Sequence, residues 1–505
     1  REAIESVMNQ LYPHWELCLV DDGSSAEHIR PLLEEYAAQD SRIKIHLASE
    51  NQGISGATNR AAQLASGEYL AFLDHDDELS LDALYQVVAA INRHDPDILY
   101  SDEELVDWKG LRQVGFYKSD YNKELLLCHN CITHFFVTRT ALFHKVGGLA
   151  ADCTGAQDYD LALKISEQSQ RVHHIRQPIY KWRASETSTS INHETKDYAD
   201  AAGLAALQAA SQRRGIQGEV AAGQWKYYYQ LLRKVRGNPS ITALVLPLED
   251  DSQAAWLEQL CAATQGHPLD FQILLAHGHK PPASSDQRTQ HLSMEENEPL
   301  ALALNRAAAQ ASGDHLLFLQ PGILPQGDWL QILLGYSQEE EYGMVGTWPS
   351  DPEGQDTNLS QPELDDQSCQ GLHAFLSQGS VHQHGLHCSQ NVQALPLTCC
   401  MVKRQLFTKV HGFDADHFPS YFLDIDLCLR LGQEDVQHVF TPFCQIRATM
   451  ANPQIPDSPI ALQEKTILQG RWPEELLHNP YYNENKLLHE SAVTKEDWQH
   501  WLIGS

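Results

Sequence analysis

An acidic run in the first third of the chain has the residue types and the spacing of a divalent metal site. Asp74-His75-Asp76-Asp77 follows directly on the apolar stretch from Tyr69 to Leu73. Carboxylates spaced Asp-x-Asp are hard oxygen ligands that suit Mg²⁺ or Mn²⁺, ions that commonly bind one or two carboxylates together with substrate phosphates. We therefore predict that Asp74 and Asp76 bind Mn²⁺ or Mg²⁺ and neutralise charge on a diphosphate leaving group. The same run could instead cap the helix that follows it.

A second carboxylate, Asp158, could supply a general base. It lies in Gly155-Ala156-Gln157-Asp158-Tyr159-Asp160-Leu161, about 80 residues after the metal candidate and at the start of a predicted helix. Transfer to a hydroxyl by inversion needs one base to remove the acceptor proton while the leaving group departs on the opposite face. Taken alone, Asp158 and Asp160 are better explained as helix caps.

The cysteines and histidines indicate less chemistry. Cys128 and Cys131 form one Cys-x-x-Cys pair, but a structural zinc site needs a second pair of ligands, and none is evident in the sequence. His382, His384, His387 and Cys388 cluster more closely, and we interpret them as a polar loop in a histidine-rich chain. The odd total of eleven cysteines fits a reduced setting.

An internal repeat defines the elements that must position these residues. The stretch from Asn59 to Leu73 resembles the stretch from Asn305 to Leu319, at an offset of 246 without a gap over fifteen positions. Two further pairs of segments agree in order: Leu142 to Gly148 with Leu406 to Gly412, and Asp158 to Lys164 with Asp424 to Arg430. We therefore predict two copies of one fold, with domains at 1–238 and 239–505. The second domain is expected to include a helical segment at its C-terminal end.

Within each copy, short apolar strands alternate with helical stretches. The strand from Trp15 to Val20 ends at Asp21-Asp22, and the strand from Tyr69 to Leu73 ends at the acidic run. Such alternation indicates an α/β fold with mainly parallel central sheets, in which ligands bind beyond the carboxyl ends of the strands. Both acidic clusters would lie at such ends.

The charge of the chain excludes some classes of partner. With 36 Lys and Arg against 67 Asp and Glu in 505 residues, the formal net charge is −31. A chain this acidic would be repelled by nucleic-acid phosphates, so we expect no nucleic-acid partner.

The sequence has no run of about 18 apolar residues and no signal-peptide pattern at the start. We therefore expect no transmembrane segment and a cytoplasmic protein, or one bound peripherally at the inner face of a membrane.

Residues 1 to about 235 resemble the family 2 glycosyltransferases with the GT-A fold, a Rossmann-like fold for nucleotide-diphospho-sugars. The motifs that carry the resemblance occur in order: Ala3-Ile4-Glu5-Ser6-Val7-x-Asn9-Gln10 with Tyr12-Pro13, Val20-Asp21-Asp22-Gly23-Ser24, Asn51-x-Gly53, Asn59-Arg60-Ala61, Phe72-Leu73-Asp74-His75-Asp76-Asp77, Tyr100-Ser101-Asp102-Glu103 and Gln157-Asp158-Tyr159-Asp160-Leu161. The resemblance implies inverting, metal-dependent transfer of a sugar from a nucleotide-sugar donor, most commonly a UDP-sugar, to a glycan or lipid-linked acceptor.

The resemblance also implies roles for individual residues. Asp158 would be the catalytic base, and Asp74 and Asp76 would bind the metal. The nucleotide-binding residues implied are Asp21, Asp22, Asn51, Gly53, Asn59, Asp74 and His75. The acceptor-side candidates are Asp102, His134, Trp182 and Arg183. Lys181 stands where many members would have a histidine, which puts a metal contact from that segment in doubt.

The second copy extends the resemblance to tandem two-domain glycosyltransferases of polysaccharide or O-antigen type. It lacks the acidic motifs that would bind the nucleotide and the metal. His277-Gly278-His279-Lys280 replaces the Asp-Asp-Gly-Ser motif, and Gln320-Pro321-Gly322 replaces Asp74-His75-Asp76. Asp424 remains at the base position, where helix capping also explains it. We therefore predict a degenerate second domain that stabilises the first, binds acceptor glycan or mediates assembly.

The beginning of the first copy also differs from that of the second. The second copy opens on the predicted strand from Ile241 to Pro247, whereas the first copy begins at Arg1, within its first predicted helix. We therefore expect the first copy to lack a strand that is central in the family and carries part of the nucleotide pocket.

The leading hypothesis is a glycosyltransferase in polysaccharide or glycoconjugate biosynthesis. The alternative is a non-catalytic glycan-binding or assembly protein built from two degenerate GT-A domains.

Overall fold

The computed structural model describes residues 1–106, 113–169, 171–183, 197–248, 253–265, 269–275, 286–348, 387–448, 455–456 and 458–485. The chain forms two compact units. The first unit comprises Arg1–Tyr121, Leu125–Leu231 and Asn483–Ser505, and the second comprises Asn122–Glu124 and Leu232–Tyr482. The predicted boundary at 238 is seven residues beyond Leu231, but the segments at 122–124 and 483–505 could not be assigned from the repeat.

The first unit alternates strands and helices. Its strands are β1 (Leu17–Asp21), β2 (Ile43–Leu47), β3 (Tyr69–Ala71), β4 (Glu78–Leu79), β5 (Ile98–Val106), β6 (Gln113–Phe116), β7 (Val137–Arg139), β8 (Val172–Arg183), β9 (Gly218–Ala222) and β10 (Tyr229–Arg233). Its helices are α1 (Glu2–Met8), α2 (Ile29–Gln39), α3 (Gly53–Leu64), α4 (Ala83–His94), α5 (Lys123–Leu126), α6 (Thr140–Lys145), α7 (Gln157–Ser166) and α8 (Asp197–Arg213). A short 3₁₀ helix spans Ala151–Cys153.

The main sheet of the first unit has the order β3-β7-β5-β8-β4, with β6 paired to β5. Strands β5 and β8 are parallel, whereas β7 runs antiparallel to both β3 and β5. The predicted α/β class is confirmed, and the structure shows that this sheet is mixed, with antiparallel as well as parallel neighbours. The reason is that β6 and β7 enter the sheet without the helical crossover that a parallel neighbour requires.

The second unit contains the elements that follow β10, together with the first two residues of α5 and the last two residues of β10. Its strands are β11 (Ile241–Leu248), β12 (Leu269–Leu275), β13 (Thr289–Ser293), β14 (His315–Leu319), β15 (Ile323–Pro325), β16 (Tyr342–Gly346), β17 (Gln390–Val392), β18 (Cys399–Lys403), β19 (Gln437–Phe440) and β20 (Ile446–Ala448). Its helices are α9 (Gln253–Ala263), α10 (Leu300–Gln310), α11 (Trp329–Ser337), α12 (Arg404–Lys409), α13 (Leu423–Gly432), α14 (Pro459–Arg471) and α15 (Pro473–Leu477). The last two helices agree with the helical segment predicted near the C-terminal end.

One mixed sheet organises the second unit, in the order β13-β12-β11-β14-β18-β16-β19-β17. Strand β11 is parallel to both of its neighbours, with Ile241 opposite Leu269 on one side and His315 on the other. Strand β14 is buried along its whole length because its apolar residues lie inside the sheet. Helix α10 covers the sheet with Ala301, Leu304 and Ala308, which recur at helical spacing and are buried.

The repeated segments fall on the same kinds of element in both units. The stretch ending in β3 corresponds to the stretch ending in β14, and α7 corresponds to α13. The units differ at one place in the sheet. In the second unit β11 joins β12 to β14, whereas the described part of the first unit has β1 paired only with β2, in a sheet separate from β3. All five residues of β1 are accordingly only half-buried.

Among the helices that the structure describes, none combines the length and the apolar character needed to cross a bilayer.

Candidate active site

The loops after β1 and β2 bring four of the predicted nucleotide-binding residues together. The two strands are parallel neighbours, so their carboxyl ends meet at one edge. The Asn51 amide donates to the Asp22 carbonyl at 3.0 Å, and the Gln52 N–H donates to the Asp22 carboxylate at 2.8 Å. Gly53 begins α3 with a φ of +75°, a conformation that favours glycine. The structure thus brings Asp21, Asp22, Asn51 and Gly53 to one pair of adjoining loops, and their nucleotide-binding role stays a prediction.

A cavity of about 410 Å³ lies beside these loops, against α3. Its polar lining includes Asp22, His46, Gln52, Asn59 and Arg60. A volume of this size is within the usual range for small-molecule sites, and the carboxylate, imidazole and guanidinium groups can hydrogen-bond a polar ligand. His46 and Gln52 were not named in any motif, and Arg60 belongs to the motif Asn59-Arg60-Ala61 but was given no role.

The Asn59 amide is already bonded to the backbone. Its Nδ2 donates to the Leu149 carbonyl at 2.8 Å, and its Oδ1 accepts from the Leu149 N–H at 2.9 Å. In the second unit, Asn305 makes the same two bonds with Phe413, at 2.8 and 2.9 Å. The recurrence in a unit that lacks the acidic run indicates that these two bonds are structural, and the nucleotide contact of Asn59 stays a prediction.

The acidic run after β3 presents some of its carboxylates to solvent and buries another. The side chains of Asp74, His75 and Asp76 are 57%, 97% and 43% exposed, respectively. Asp77, by contrast, is buried and accepts from the Tyr180 hydroxyl at 2.5 Å and from the Arg183 N–H at 2.9 Å. Burial raises the pKa of Asp77 to about 6. Asp77 therefore anchors the loop to β8 while Asp74 and Asp76 stay accessible.

Among the described residues, the group of potential metal ligands that converges here consists of Asp74, Asp77 and His134. One ligand atom of each lies within 4.8 Å of the others. Carboxylate and imidazole atoms together suit Mn²⁺, so the residues present fit a divalent cation. Asp76 does not belong to this group, and its backbone carbonyl accepts a hydrogen bond from Arg183. The predicted pair Asp74 and Asp76 thus stays a prediction, and His134 enters the neighbourhood.

The buried ion pair of Glu103 and Lys118 holds the His134 side chain in place. Its Nδ1 lies 3.0 Å from the Glu103 carboxylate, which also accepts from the His134 N–H at 2.6 Å. Glu103 in turn contacts the Lys118 ammonium at 3.2 Å. Burial alone would lower the pKa of His134, but the Glu103 carboxylate outweighs it and the pKa is raised. Glu103 belongs to a quoted motif, yet neither it nor Lys118 was predicted to act on the site.

Asp158 lies in the first turn of α7 and is positioned by Asn130. The Asn130 amide donates to its carboxylate at 3.0 Å. Although the Asp158 side chain has exposed surface, the protein around it partly removes it from water and raises its pKa. The charges of His134 and Asp74 act on the same pKa, in opposite directions. The predicted base and the predicted metal ligand therefore share one electrostatic neighbourhood. Asn130 lies within the Cys128–Cys131 pair and was missed because its contact with Asp158 forms only in the folded chain.

The acceptor-side candidates are placed differently from one another. Trp182 packs beside the His134 ring, with ring centroids 5.6 Å apart. Arg183 donates through Nε to the Asp76 carbonyl and through its backbone N–H to the Asp77 carboxylate, so it stabilises the acidic loop. Asp102 is fully buried, which corrects its prediction as an acceptor contact. An alternating strand pattern could not reveal this, because β5 is covered on both faces.

The buried Asp102 carboxylate is satisfied within the protein. It accepts from the Lys118 N–H at 2.8 Å and lies 2.8 Å from His174 Nε2. The Asn483 amide adds contacts of 3.2 and 3.0 Å to its two oxygens. Asp102 therefore ties the C-terminal segment of the first unit to β5, beside the Glu103 that holds His134.

The equivalent places in the second unit lack this arrangement. Gln320, which follows β14, is held through its N–H by the Thr398 carbonyl at 2.9 Å. Asp424 lies in the first turn of α13, where its carboxylate accepts from the Ile425 N–H at 2.9 Å. Its neighbour Asp426 is buried and bonded to Arg430 at 2.7 Å. The replaced motif at 277–280 and the histidines at 382 and 384 lie outside the described residues.

Comparison with known proteins places the first unit in a family. The model of "Glycosyl transferase family 2" matches residues 1–147. The chain is 30% identical to the uncharacterized protein y4gI of Sinorhizobium fredii, over 96% of this chain and 56% of that protein. It is also 30% identical to the O-antigen biosynthesis protein RfbC of Myxococcus xanthus, over 87% of this chain and 35% of that protein.

A third relative is smaller. The chain is 34% identical to the UDP-Glc:alpha-D-GlcNAc-diphosphoundecaprenol beta-1,3-glucosyltransferase WfgD of Escherichia coli, over 26% of this chain and 52% of that protein. The chain thus spans about half, or less, of the first two relatives, each of which matches it in both units. By this match, residues 1–147 belong to glycosyl transferase family 2.

Proposed function

We propose that the first unit transfers a sugar from a nucleotide-sugar donor to a hydroxyl of a glycan or lipid-linked acceptor, with inversion at the sugar. The observation that carries this proposal is that one loop contacts both sites: Asn130 donates to the Asp158 carboxylate at 3.0 Å, and His134 Nε2 lies 3.9 Å from Asp74 Oδ2. Family membership supplies the reaction class. This neighbourhood supplies the base and a site for a cation that would neutralise the diphosphate.

Asp158 is proposed to remove the proton from the acceptor hydroxyl. Its raised pKa makes the ionised form of Asp158 a stronger base than an ordinary aspartate. The hydrogen bond from Asn130 fixes the orientation of the carboxylate. The acceptor would approach past Trp182, the one predicted acceptor-side residue that lies beside His134 and keeps exposed surface.

The donor is proposed to lie along the loops after β1, β2 and β3. Asp21, Asp22 and Asn51 would bind the nucleoside, and the cavity beside Asp22 is large enough for part of it. Asp74 and Asp76 would hold a divalent metal, with His75 near the diphosphate. When bound, Mn²⁺ or Mg²⁺ supplies positive charge that stabilises the departing diphosphate.

The names of two relatives support the substrate class. WfgD is named for a UDP-glucose donor and a diphosphoundecaprenol acceptor, and RfbC for O-antigen biosynthesis. We therefore propose a UDP-sugar donor and an acceptor in polysaccharide biosynthesis that is a glycan or is linked to a lipid. A lipid-linked acceptor would bring the protein to the inner face of a membrane, as a peripheral protein.

The second unit is proposed to have no transfer activity of its own. Gln320-Pro321-Gly322 stands where the first unit has its accessible carboxylates, and two of these three side chains cannot ligate a metal. Its proposed roles are to stabilise the first unit, to bind acceptor glycan or to mediate assembly.

The test compares the two equivalent aspartates. UDP release from a panel of UDP-sugars is measured with water as the acceptor and then with lipid-linked oligosaccharides added. Asp158→Asn should slow UDP release by roughly 10²-fold or more, the usual effect of losing a general base. Asp424→Asn is the matched control at the corresponding helix of the second unit and should leave the rate unchanged. A wild-type rate in Asp158→Asn would refute the proposed base.

A further inference from the structure

We propose that His134 is a protein ligand of the divalent metal, through Nε2, and that Glu103 holds the ring in the ligating orientation. The inference rests on the proposed function, since it assigns a further residue to the metal site at Asp74. The sequence had placed His134 on the acceptor side.

The distance between the two ligand atoms fits one shared ion. His134 Nε2 lies 3.9 Å from Asp74 Oδ2. Two ligands of one Mn²⁺ or Mg²⁺, each at a bond length of about 2.1 Å, are separated by no more than about 4.2 Å. An ion can therefore contact both atoms without movement of the backbone.

The tautomer of His134 is set by its other nitrogen. A carboxylate only accepts hydrogen bonds, so Nδ1 at 3.0 Å from Glu103 carries the proton. The lone pair of the neutral ring is then on Nε2 and faces the Asp74 carboxylate. Two acceptors that face each other in this way need a proton or a cation between them. A histidine whose second N–H is held by a carboxylate is the usual arrangement around protein-bound metals.

The plane of the ring is also fixed. His134 stacks on Tyr180 with ring centroids 4.9 Å apart and planes 10° from parallel. Tyr180 is in turn held by its hydroxyl hydrogen bond to Asp77 at 2.5 Å. Glu103 is itself compensated by Lys118, whose ammonium is buried with it. The side chain that faces Asp74 is thus held in place before any ligand arrives.

Two neighbours are weaker candidates for the same role. Both carboxylate oxygens of Asp77 accept hydrogen bonds from β8, so Asp77 supports the site and is less available to a metal. His75 is 97% exposed, and its Nδ1 lies 3.9 Å from Asp76. Because His75 is in the same loop as Asp74 and has the same side chain as His134, it is the matched control for His134.

The experiment uses the full-length protein loaded with Mn²⁺ and UDP and records electron spin-echo envelope modulation from the bound Mn²⁺. We expect modulation from a directly bound histidine nitrogen, and its isotope pattern should change when the protein is labelled with ¹⁵N-histidine. The signal should persist in His75→Gln and disappear in His134→Gln, which should also bind Mn²⁺ at least tenfold more weakly.

The outcomes separate this inference from the proposed function. Bound Mn²⁺ that depends on Asp74 but shows no histidine nitrogen would overturn the role of His134 and leave the proposed metal site standing. Modulation that disappears in His75→Gln would assign the ligand to His75 instead. If the wild-type protein binds no Mn²⁺ with UDP, both the inference and the proposed metal site are wrong. The wild-type and His75→Gln spectra decide the question even if His134→Gln does not fold.

Discussion

The amide of Asn130 donates a hydrogen bond of 3.0 Å to the carboxylate of Asp158. Asn130 lies in the same loop as His134, whose ring faces Asp74. One loop before β7 therefore contacts both the proposed base and the neighbourhood of the proposed metal. A hydrogen bond of this kind stabilises the ionised form of the aspartate, so it opposes the effect of burial on the Asp158 pKa.

Removal of the Asn130 amide should move the acid limb of the pH–rate profile. The pKa of Asp158 is already raised above the ordinary value of 3.8, so the wild-type rate should fall with decreasing pH above that value. Asn130→Ala removes a donor to the charged form and should shift the limb upward by about one pH unit. Asn130→Asp should shift it further, because it adds a second negative charge. If the acid limbs of the pH–rate profiles coincide in the wild type, Asn130→Ala and Asn130→Asp, Asn130 does not position Asp158.

Asn59 and Asn305 should behave as equivalent structural residues. Each makes two hydrogen bonds to one backbone residue, so each change to alanine should lower the free energy of unfolding of its own unit by about 2 kcal/mol. Urea unfolding measures this loss. Calorimetry with UDP and Mn²⁺ should show an affinity within about twofold of the wild type for both variants. An affinity that falls tenfold or more in Asn59→Ala, but not in Asn305→Ala, would support the nucleotide role that the family resemblance implied.

Asn483 should stabilise the first unit through the buried Asp102. Its amide lies 3.0 and 3.2 Å from the two carboxylate oxygens and donates to the Lys118 carbonyl at 2.9 Å. Asn483→Ala should cost about 2 kcal/mol, the range for a hydrogen bond to a charged group. Asn483→Asp should cost more, since it buries a second carboxylate against the first. Thermal unfolding that ranks the aspartate variant as no less stable than the alanine variant would contradict this contact.

The second unit should lose stability as the pH falls from about 6.5 towards 4. His438 accepts from the Met344 N–H at 3.0 Å and lies 2.8 Å from the Cys428 carbonyl, so it is bonded as a neutral ring. Burial lowers its pKa to about 4, from an ordinary value of 6.5. The unfolded chain therefore binds more protons across this window, and the stability that is complete above pH 6.5 declines as the pH falls.

Urea unfolding at pH 6.5 and pH 5 tests this dependence. One histidine with such a shift contributes roughly 2 kcal/mol to the difference between these two pH values. His438→Gln cannot titrate and should reduce the difference by about that amount. His75→Gln, which changes an exposed histidine, should leave it as it is. An unchanged difference in His438→Gln would mean that the buried ring does not carry the effect.

The sequence predicted those parts of the fold that depend on local pattern. The repeat placed the strands β3 and β14 and the helices α7 and α13, because apolar periodicity is a local property. The predicted strand from Tyr69 to Leu73 ends at Ala71 in the structure. The loop residues Asp21, Asp22, Asn51 and Gly53 were also placed together, since parallel neighbours bring their carboxyl ends to one edge. Strand direction in the main sheets was not predictable, because it depends on connections that lack a helical signature.

The errors in the site have a common physical cause. Asp102 was expected to contact the acceptor, but burial depends on what covers a strand, and Asn483 covers this carboxylate from 381 residues away. Asn130, Glu103 and Lys118 were missed for the same reason, since their roles arise from contacts made only in the folded chain. His134 was found, but its neighbour Asp74 could not be inferred from spacing.

The central claim is that the accessible carboxylates of the first unit form one donor site per chain and that the second unit has none. Calorimetry of the full-length protein with uridine, guanosine or thymidine diphosphate and Mn²⁺ tests this claim most directly. We predict one site per chain for UDP, loss of that site in Asp74→Asn, and unchanged binding in Asp424→Asn. Two sites per chain, no binding of any of the three diphosphates, or binding that survives Asp74→Asn would contradict it.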